Sequence, residues 1–269
     1  MAILAITYEF GSGGEEIGHA IEKQLGYEYV ALRRLLSEAK QLGDKWERFG
    51  TDYAVGVPTI WERYDWSFMG FMALAQSIIL DHAQKDNVVI MTRTNLYLLS
   101  GIPHLLKVRI VAPLEARIKR IMLKEDTSWE AARLLIKQAD HEVASTAKRL
   151  YGKKVDDPGA YEIQLDTSTQ ELDQCVGIVK GLLEKKNLLK TDEAEKKLEL
   201  MALAARAKAA ILTNSAFLIP TLEVEARDEG IEVRGVARNI REHKAIEQEI
   251  KKICGNTPVN IEIHYRGVI

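Results

Sequence analysis

Residues 2–7, AILAIT, form an unbroken apolar run, and beyond the glycines at 11, 13 and 14 the residues Ile17, Ala20, Ile21 and Leu25 recur at helical spacing. A run without alternation fits a strand buried on both faces, and the spacing after it fits an amphipathic helix. The chain therefore opens as strand, loop, helix. NVVIMT at 87–92 and LLKVRIVAP at 105–113 repeat the buried-strand pattern, and YEIQLDTS at 161–168 reads as the last strand of the series. Helical patterns fall around these strands at 32–42, 67–84, 114–123, 128–149 and 170–185; Thr127 and Glu130 stand at capping-box spacing before the fourth. Strands alternating with helices predict an α/β fold: a parallel sheet with helices on both faces.

The pattern changes after LEKKNLLKTDEAEKK at 183–197, a charged stretch without strand character. It sets an expected domain boundary near residue 190, giving units 1–190 and 191–269. A helix over about 193–212 precedes TLEVEARDEGIEVRGVA at 221–237, which alternates on either side of Asp228-Glu229-Gly230 and reads as a hairpin. Asn239 and Glu242 again have capping-box spacing, Gly255 can end the helix they open, and VNIEIHY at 259–265 alternates as a third strand. The tail reads as a small α+β unit of αββαβ order, expected to fold alone.

Composition narrows the function classes. A formal net charge of −2 and a pI near 6.3 give no basic surface of the kind nucleic-acid binders carry. Cys175 and Cys254 lie far apart and outside any Cys/His cluster, so no disulfide framework and no metal site is expected. The apolar start is far shorter than the ~20 residues of a membrane span and has no basic flank, so no integral membrane contact is expected and the cytoplasm is the expected location.

The chemistry-bearing motif is EFGSGGEEIGHA at 9–20. In a phosphate-binding loop, backbone N–H groups at a helix N-terminus surround phosphate oxygens, a Lys neutralises charge and a Ser/Thr hydroxyl reaches Mg2+. Gly11, Ser12, Gly13 and Gly14 supply the backbone cradle, but the Lys position is Glu15, the next is Glu16, and Ile17 brings no hydroxyl. One carboxylate about 4 Å from one phosphate charge costs roughly 4 kcal/mol at an effective dielectric near 20. As ordinary helix chemistry, the same two glutamates complement the helix dipole at ~0.3–1 kcal/mol each.

The segments ITYEFGSGGEEIG (6–18), NVVIMTRTN (87–95), VRIVAPLEARIKRIM (108–122), ADHEVASTAKRLYG (139–152) and DDPGAYEIQLDT (156–167) are collinear. Together they resemble the cytidylate kinase-like family, a branch of the P-loop nucleoside monophosphate kinases. The resemblance covers residues 1 to about 188 and implies a P-loop kinase fold, with ATP or another nucleotide and, in an active enzyme, Mg2+ as cofactors. Several family positions are replaced: a basic loop residue by Glu15, an Arg before the loop by Tyr8, an acidic residue after the second strand by Ala31, a Gly-Arg-Gly by Thr92-Arg93-Thr94, and a lid-helix Arg by Val143. Arg93, Arg117, Arg120, Lys148 and Arg149 remain as basic candidates. Of these, Arg117 and Arg120 are the expected nucleotide ligands beside the loop; as ordinary structure, they and Lys119 form an exposed basic helix face. Trp46, Trp61, Trp66, Tyr53 and Tyr64 fall where such kinases bind the monophosphate and read either as a stacking surface or as core. His19 and His141 have no metal-ligand spacing.

Residues 193–269 resemble the BON domain family through the hairpin Gly230–Val236, which implies a binding module. Three functions stay open at this level: a nucleotide-responsive regulatory or scaffold protein derived from a kinase, an active nucleoside monophosphate kinase, and a structural subunit that binds no nucleotide. A nucleotide ligand and a protein partner or second copy are the expected partners.

Overall fold

A computed structural model describes residues 2–55, 59, 61, 65–91 and 95–265. They divide into two compact units. Thr191 and Asp192 mark one division, but the second unit is more than the tail: it also contains Arg33–Val55 and Thr59–Gln84. A cut near residue 190 therefore does not separate the compact units.

The first unit is built on β1 (Ile3–Tyr8), β2 (Glu28–Val30), β3 (Val88–Met91), β4 (Leu105–Val111) and β5 (Ile163–Asp166), in the order β2-β3-β1-β4-β5. Every neighbouring pair is parallel. Leu4, Ile6, Leu106, Val108 and Ile110 point to a core shared with Ile17 and Ile21 of α1 (Gly14–Leu25) and Val176, Val179 and Leu183 of α7 (Leu172–Asn187). Ile3, Ala5, Val88 and Ile90, which alternate with them, are buried as well. Burial on both faces is why β3 and most of β1 are apolar throughout, while β4 interrupts its apolar run with Lys107 and Arg109. A helical pair, α5 (Leu114–Glu125) and α6 (Trp129–Tyr151), follows β4. The cap of α6 lies one residue beyond the expected Thr127: Ser128 accepts a hydrogen bond from the Ala131 amide at 3.2 Å.

The second unit gathers α2 (Leu32–Gln41), α3 (Asp44–Val55), α4 (Trp66–Ala83) and α8 (Asp192–Thr213) with β6 (Glu223–Arg227), β7 (Gly230–Ala237), α9 (Ile240–Cys254) and β8 (Val259–Tyr265). The sheet order is β6-β7-β8, antiparallel then parallel, and Arg227 pairs with Gly230 across the two-residue turn Asp228-Glu229. The αββαβ order of the tail is present. Its first helix is not an outer layer: α8 buries residues on two sides, from Ala194 to Leu212, because α4 packs along it and β6, β7 and α9 pack against it as well, while Glu199 and Arg206 stay exposed. Ala73 of α4 shares a core with Ala204, Ala207, Ile211, Val233 and Ile246. At Gly70 a Cβ would stand 2.6 Å from Trp46 and 3.0 Å from the Leu212 carbonyl, so the glycine permits this close approach.

The expected capping box on α9 is half formed. Asn239 accepts from the Glu242 amide at 2.9 Å, but the Glu242 carboxylate turns inward to accept from the Leu218 and Arg238 amides at 2.8 and 2.7 Å. Burial alone would raise its pKa; the Arg238 guanidinium and those amides outweigh burial and hold it below the usual carboxylate value.

The aromatic residues of 46–66 belong to the second unit. Trp46 is 1% exposed and packs its ring near Phe49 and Trp66, and the Tyr53 hydroxyl bonds Ser67 Oγ at 2.8 Å. Trp46 is core, Tyr53 and Trp66 are half-buried against it and its neighbours, and Trp61 is exposed; Tyr64 lies outside the described residues. Cys175 and Cys254 are free and buried, and burial pushes both thiols up. Among the described residues, no helix is long and apolar enough to cross a membrane.

Candidate functional site

The chain leaves β1 at Tyr8 and turns into α1 through residues 9–13. Gly11 and Gly13 have φ of 80° and 86°, a left-handed conformation that glycine adopts without strain. Gly13 is the N-cap of α1 and makes no side-chain cap, so the first-turn amides point out of the helix end as a phosphate cradle requires. Gly14 is dictated by packing, because a Cβ there would lie 2.3 Å from the Tyr8 Cβ. The Ser12 hydroxyl is buried and donates to the Ile110 carbonyl at 3.2 Å, which anchors the loop to β4.

The charged groups around this loop are arranged differently from a phosphate clamp. Glu15 accepts from the Tyr8 hydroxyl at 3.1 Å and pairs with Lys124 Nζ at 3.2 Å. That pairing raises the Lys124 pKa, first through the hydrogen bond and then through the Glu15 charge. The helix end carries a negative field: Tyr29 beside α1 is pushed up to about 12, by burial first and then by Glu15, Glu22 and Glu16.

Arg117 is buried, 7% exposed, and is not part of an exposed basic face. It donates to both Asp140 oxygens at 3.0 and 2.9 Å and to the Ala112 carbonyl at 3.1 Å, and its Nε lies 3.5 Å from Glu9. Arg109 holds the other Glu9 oxygen at 3.1 Å and donates to the Val155 carbonyl at 2.7 Å. Arg120 donates to Thr167 Oγ1 and to the Thr167 carbonyl, both at 2.8 Å, and Thr167 in turn donates to the Ser12 carbonyl at 2.5 Å. Both arginines expected as nucleotide ligands therefore hold the loop, β4, β5 and the lid-side helices together.

Of the remaining candidates, Arg149, Lys148 and Lys119 are exposed, and Arg93 lies outside the described residues. His19 pairs with Glu22 at 2.9 Å and stacks on Tyr29; His141 faces Ser145. No group of three or more His, Cys, Asp and Glu placed to hold a metal occurs among the described residues. Sequence reasoning missed Glu9, Lys124 and Asp140. A signal existed for Lys124, which follows Arg117 and Arg120 at i+7 and i+4 on one face of α5.

The loop thus has a glycine backbone at an uncapped helix N-terminus, and the first turn that follows carries Glu15, Glu16 and Ile17, without a cation or a hydroxyl. A family model described as the cytidylate kinase-like family matches residues 3–169. The chain belongs to that family. Among curated relatives, a cytidylate kinase of Methanopyrus kandleri is 32% identical over 79 residues, 29% of this chain and 41% of that protein. A cytidylate kinase of Methanosarcina acetivorans is 30% identical over 97 residues, 36% of this chain and 54% of that protein. The chain spans about half, or less, of the length of these relatives. A crystal structure of an uncharacterized protein from Eubacterium ventriosum aligns with 68% of this chain and 99% of that chain at a TM-score of 0.52 and 18% identity. That likeness shows the fold alone. The cytidylate kinase-like segment has a P-loop kinase fold whose glycine loop leads into Glu15, held by Tyr8 and Lys124.

Proposed function

We propose that this member of the cytidylate kinase-like family binds a nucleotide without turning it over, and serves as a nucleotide-responsive regulatory or scaffold component. The observation that carries this reading is Glu15, held by the Tyr8 hydroxyl and Lys124 at the cradle, with Arg117 and Arg120 both engaged in internal bonds. Phosphoryl transfer relies on positioning and on cations that stabilise the equatorial oxygens of the transferred group. Here the cations near the loop are spent on the protein's own carboxylates and carbonyls. The family membership and the cytidylate kinase relatives support a nucleotide as the ligand class. They also favour a second reading, an active nucleoside monophosphate kinase that uses ATP and Mg2+. The resemblance of residues 193–269 to BON domains supports a binding role for the tail, with a protein partner or second copy as its ligand.

Thermal unfolding with and without ATP, in the presence and absence of Mg2+, tests the binding part. ATP is expected to raise the midpoint, and Glu15→Lys to tighten ATP binding by about tenfold or more, since it replaces a repulsive charge by an attractive one at an intact cradle. No shift with any nucleotide, or unchanged affinity in a folded Glu15→Lys protein, contradicts the reading.

A further inference from the structure

The small sheet of the second unit ends in two edges, β6 and β8, and they are not alike. β6 has five residues, α8 packs against it, and Glu223, Glu225 and Arg227 stand exposed along it. Short length, charge and a covering helix are the means by which an edge is kept from pairing. β8 has seven residues with no lysine and no proline, and its register on β7 runs unbroken from Ile231 with Val259 to Ala237 with Tyr265. No strand pairs with its other side among the described residues.

The ladder fixes which backbone groups face that open side. The Ile231 amide donates to the Pro258 carbonyl at 2.9 Å. In a parallel pair the N–H and C=O of one residue turn to the same neighbour, and those of the next residue turn the opposite way. Asn260, Glu262 and His264 therefore spend their backbone groups on β7, while Val259, Ile261, Ile263 and Tyr265 turn theirs outward.

The side chains indicate what pairs there. On the face toward α9, Ile263 is buried, Ile261 is half-buried, and Tyr265 is 44% exposed with its ring 5.8 Å from that of His243. On the other face Glu262 and His264 are exposed, and Glu262 lies 3.6 Å from Arg234. An antiparallel copy of β8 with a twofold axis at Ile263 sets Ile261 opposite the partner subunit's Tyr265 and Glu262 opposite the partner subunit's His264. An aromatic ring against a β-branched residue, and a carboxylate against an imidazole donor, are both favourable cross-strand pairs. A twofold at Glu262 would instead set two carboxylates face to face, and one at Ile261 would leave His264 and Tyr265 beyond the end of the partner strand.

We infer that β8 is a pairing edge for a second copy of this chain, joined antiparallel about Ile263. The outward groups of Ile261, Ile263 and Tyr265 then form about six hydrogen bonds with their counterparts, two for each opposed pair. This rests on the reading of the tail as a binding unit and names its partner; the nucleotide has no part in it.

Sedimentation velocity of the full chain from about 1 to 200 μM is expected to show a reversible monomer–dimer equilibrium, since an edge of this length belongs with small, transient interfaces. Ile261→Pro removes an outward N–H and leaves the ladder to β7 intact, so it is expected to weaken dimerisation by about tenfold or more. Ile261→Ala keeps that N–H and is expected to weaken it less. The midpoint of thermal unfolding reports whether each variant is folded, and where Ile261→Pro lowers it, cross-linking decides. Chains carrying Glu262→Cys and His264→Cys, mixed in equal parts and oxidised, are expected to join through a disulfide. Residues opposed in a non-hydrogen-bonded pair stand about 4.5 Å apart at Cα, within the ~4.4–6.8 Å that a disulfide spans. Neither variant alone is expected to join, because Cys175 and Cys254 are buried. Cross-linking of Glu262→Cys alone, or none in the mixture, overturns the pairing. A monomer at every concentration overturns it too and removes the second copy from the tail's partners. A dimer as tight in folded Ile261→Pro as in the native chain also overturns the edge, while the tail's binding role stands.

Discussion

Arg117→Leu is expected to lower stability by about 2–4 kcal/mol, a loss near the lower end of that for breaking a buried ion pair because one partner is partly wet. The guanidinium side chain is 8% exposed, against 23% for Glu9 and 40% for Asp140. Its removal leaves Asp140 without the guanidinium nitrogen that meets both its oxygens, the Ala112 carbonyl without its donor, and Glu9 with Arg109 and the Ala112 amide at 3.4 Å. Because three separate segments meet at this one side chain, Arg117→Lys recovers only part of the loss: an ammonium is a point charge and cannot bridge both acids and the carbonyl. Urea denaturation compares the three proteins. A loss below about 1 kcal/mol for Arg117→Leu would place the network with solvent-screened surface pairs and remove its structural role.

The excised tail, residues 191–269, is expected not to fold as it does in the whole chain. Its sequence contains a complete αββαβ pattern, and from that pattern alone it reads as self-sufficient. In the structure α8 is covered along one side by α4, with Met69 and Ala73 packed into the core that α8 shares with the small sheet. A domain of this size gains only ~3–5 kcal/mol from a single core. Uncovering even two or three Leu-sized side chains, at ~1.5–3 kcal/mol each, removes that margin. The fragment is therefore expected to give a collapsed amide spectrum or to associate through the uncovered helix. Sharp, dispersed amide peaks from a monomer would show that α4 adds packing without being required.

How much could be read from the chain follows from what each signal encodes. Strands β1 and β3 are plain in the sequence because burial on both faces leaves a continuous apolar run, and β4 is nearly so, its run broken by Lys107 and Arg109. The loop is equally plain because its glycines serve backbone geometry, at Gly11 and Gly13, and close packing, at Gly14. Two other features were not legible. The apolar composition of residues 67–84 announces a buried helix but not its partner, and that partner, α8, begins more than a hundred residues later. Arg117 reads from the sequence as a candidate ligand, yet its contacts are with Glu9 and Asp140, which lie on other elements. Side-chain partners at such separations leave no periodic trace, so a retained arginine looks like a ligand until its neighbours are known. The helix α3 was missed for a local reason: its apolar positions are aromatic and interrupted by Gly50, a composition that lacks a clean helical stripe.

The central claim is that this cytidylate kinase-like chain keeps the nucleotide-binding fold without the phosphoryl-transfer chemistry. The most direct measurement is steady-state transfer from ATP or GTP, with Mg2+, to CMP, dCMP and UMP by the purified full chain. The account predicts no more than trace product with every pair, because Glu15 occupies the cation position and Arg117 and Arg120 are bound internally. A turnover number of about 1 per second or above, the ordinary range for kinases, would contradict it.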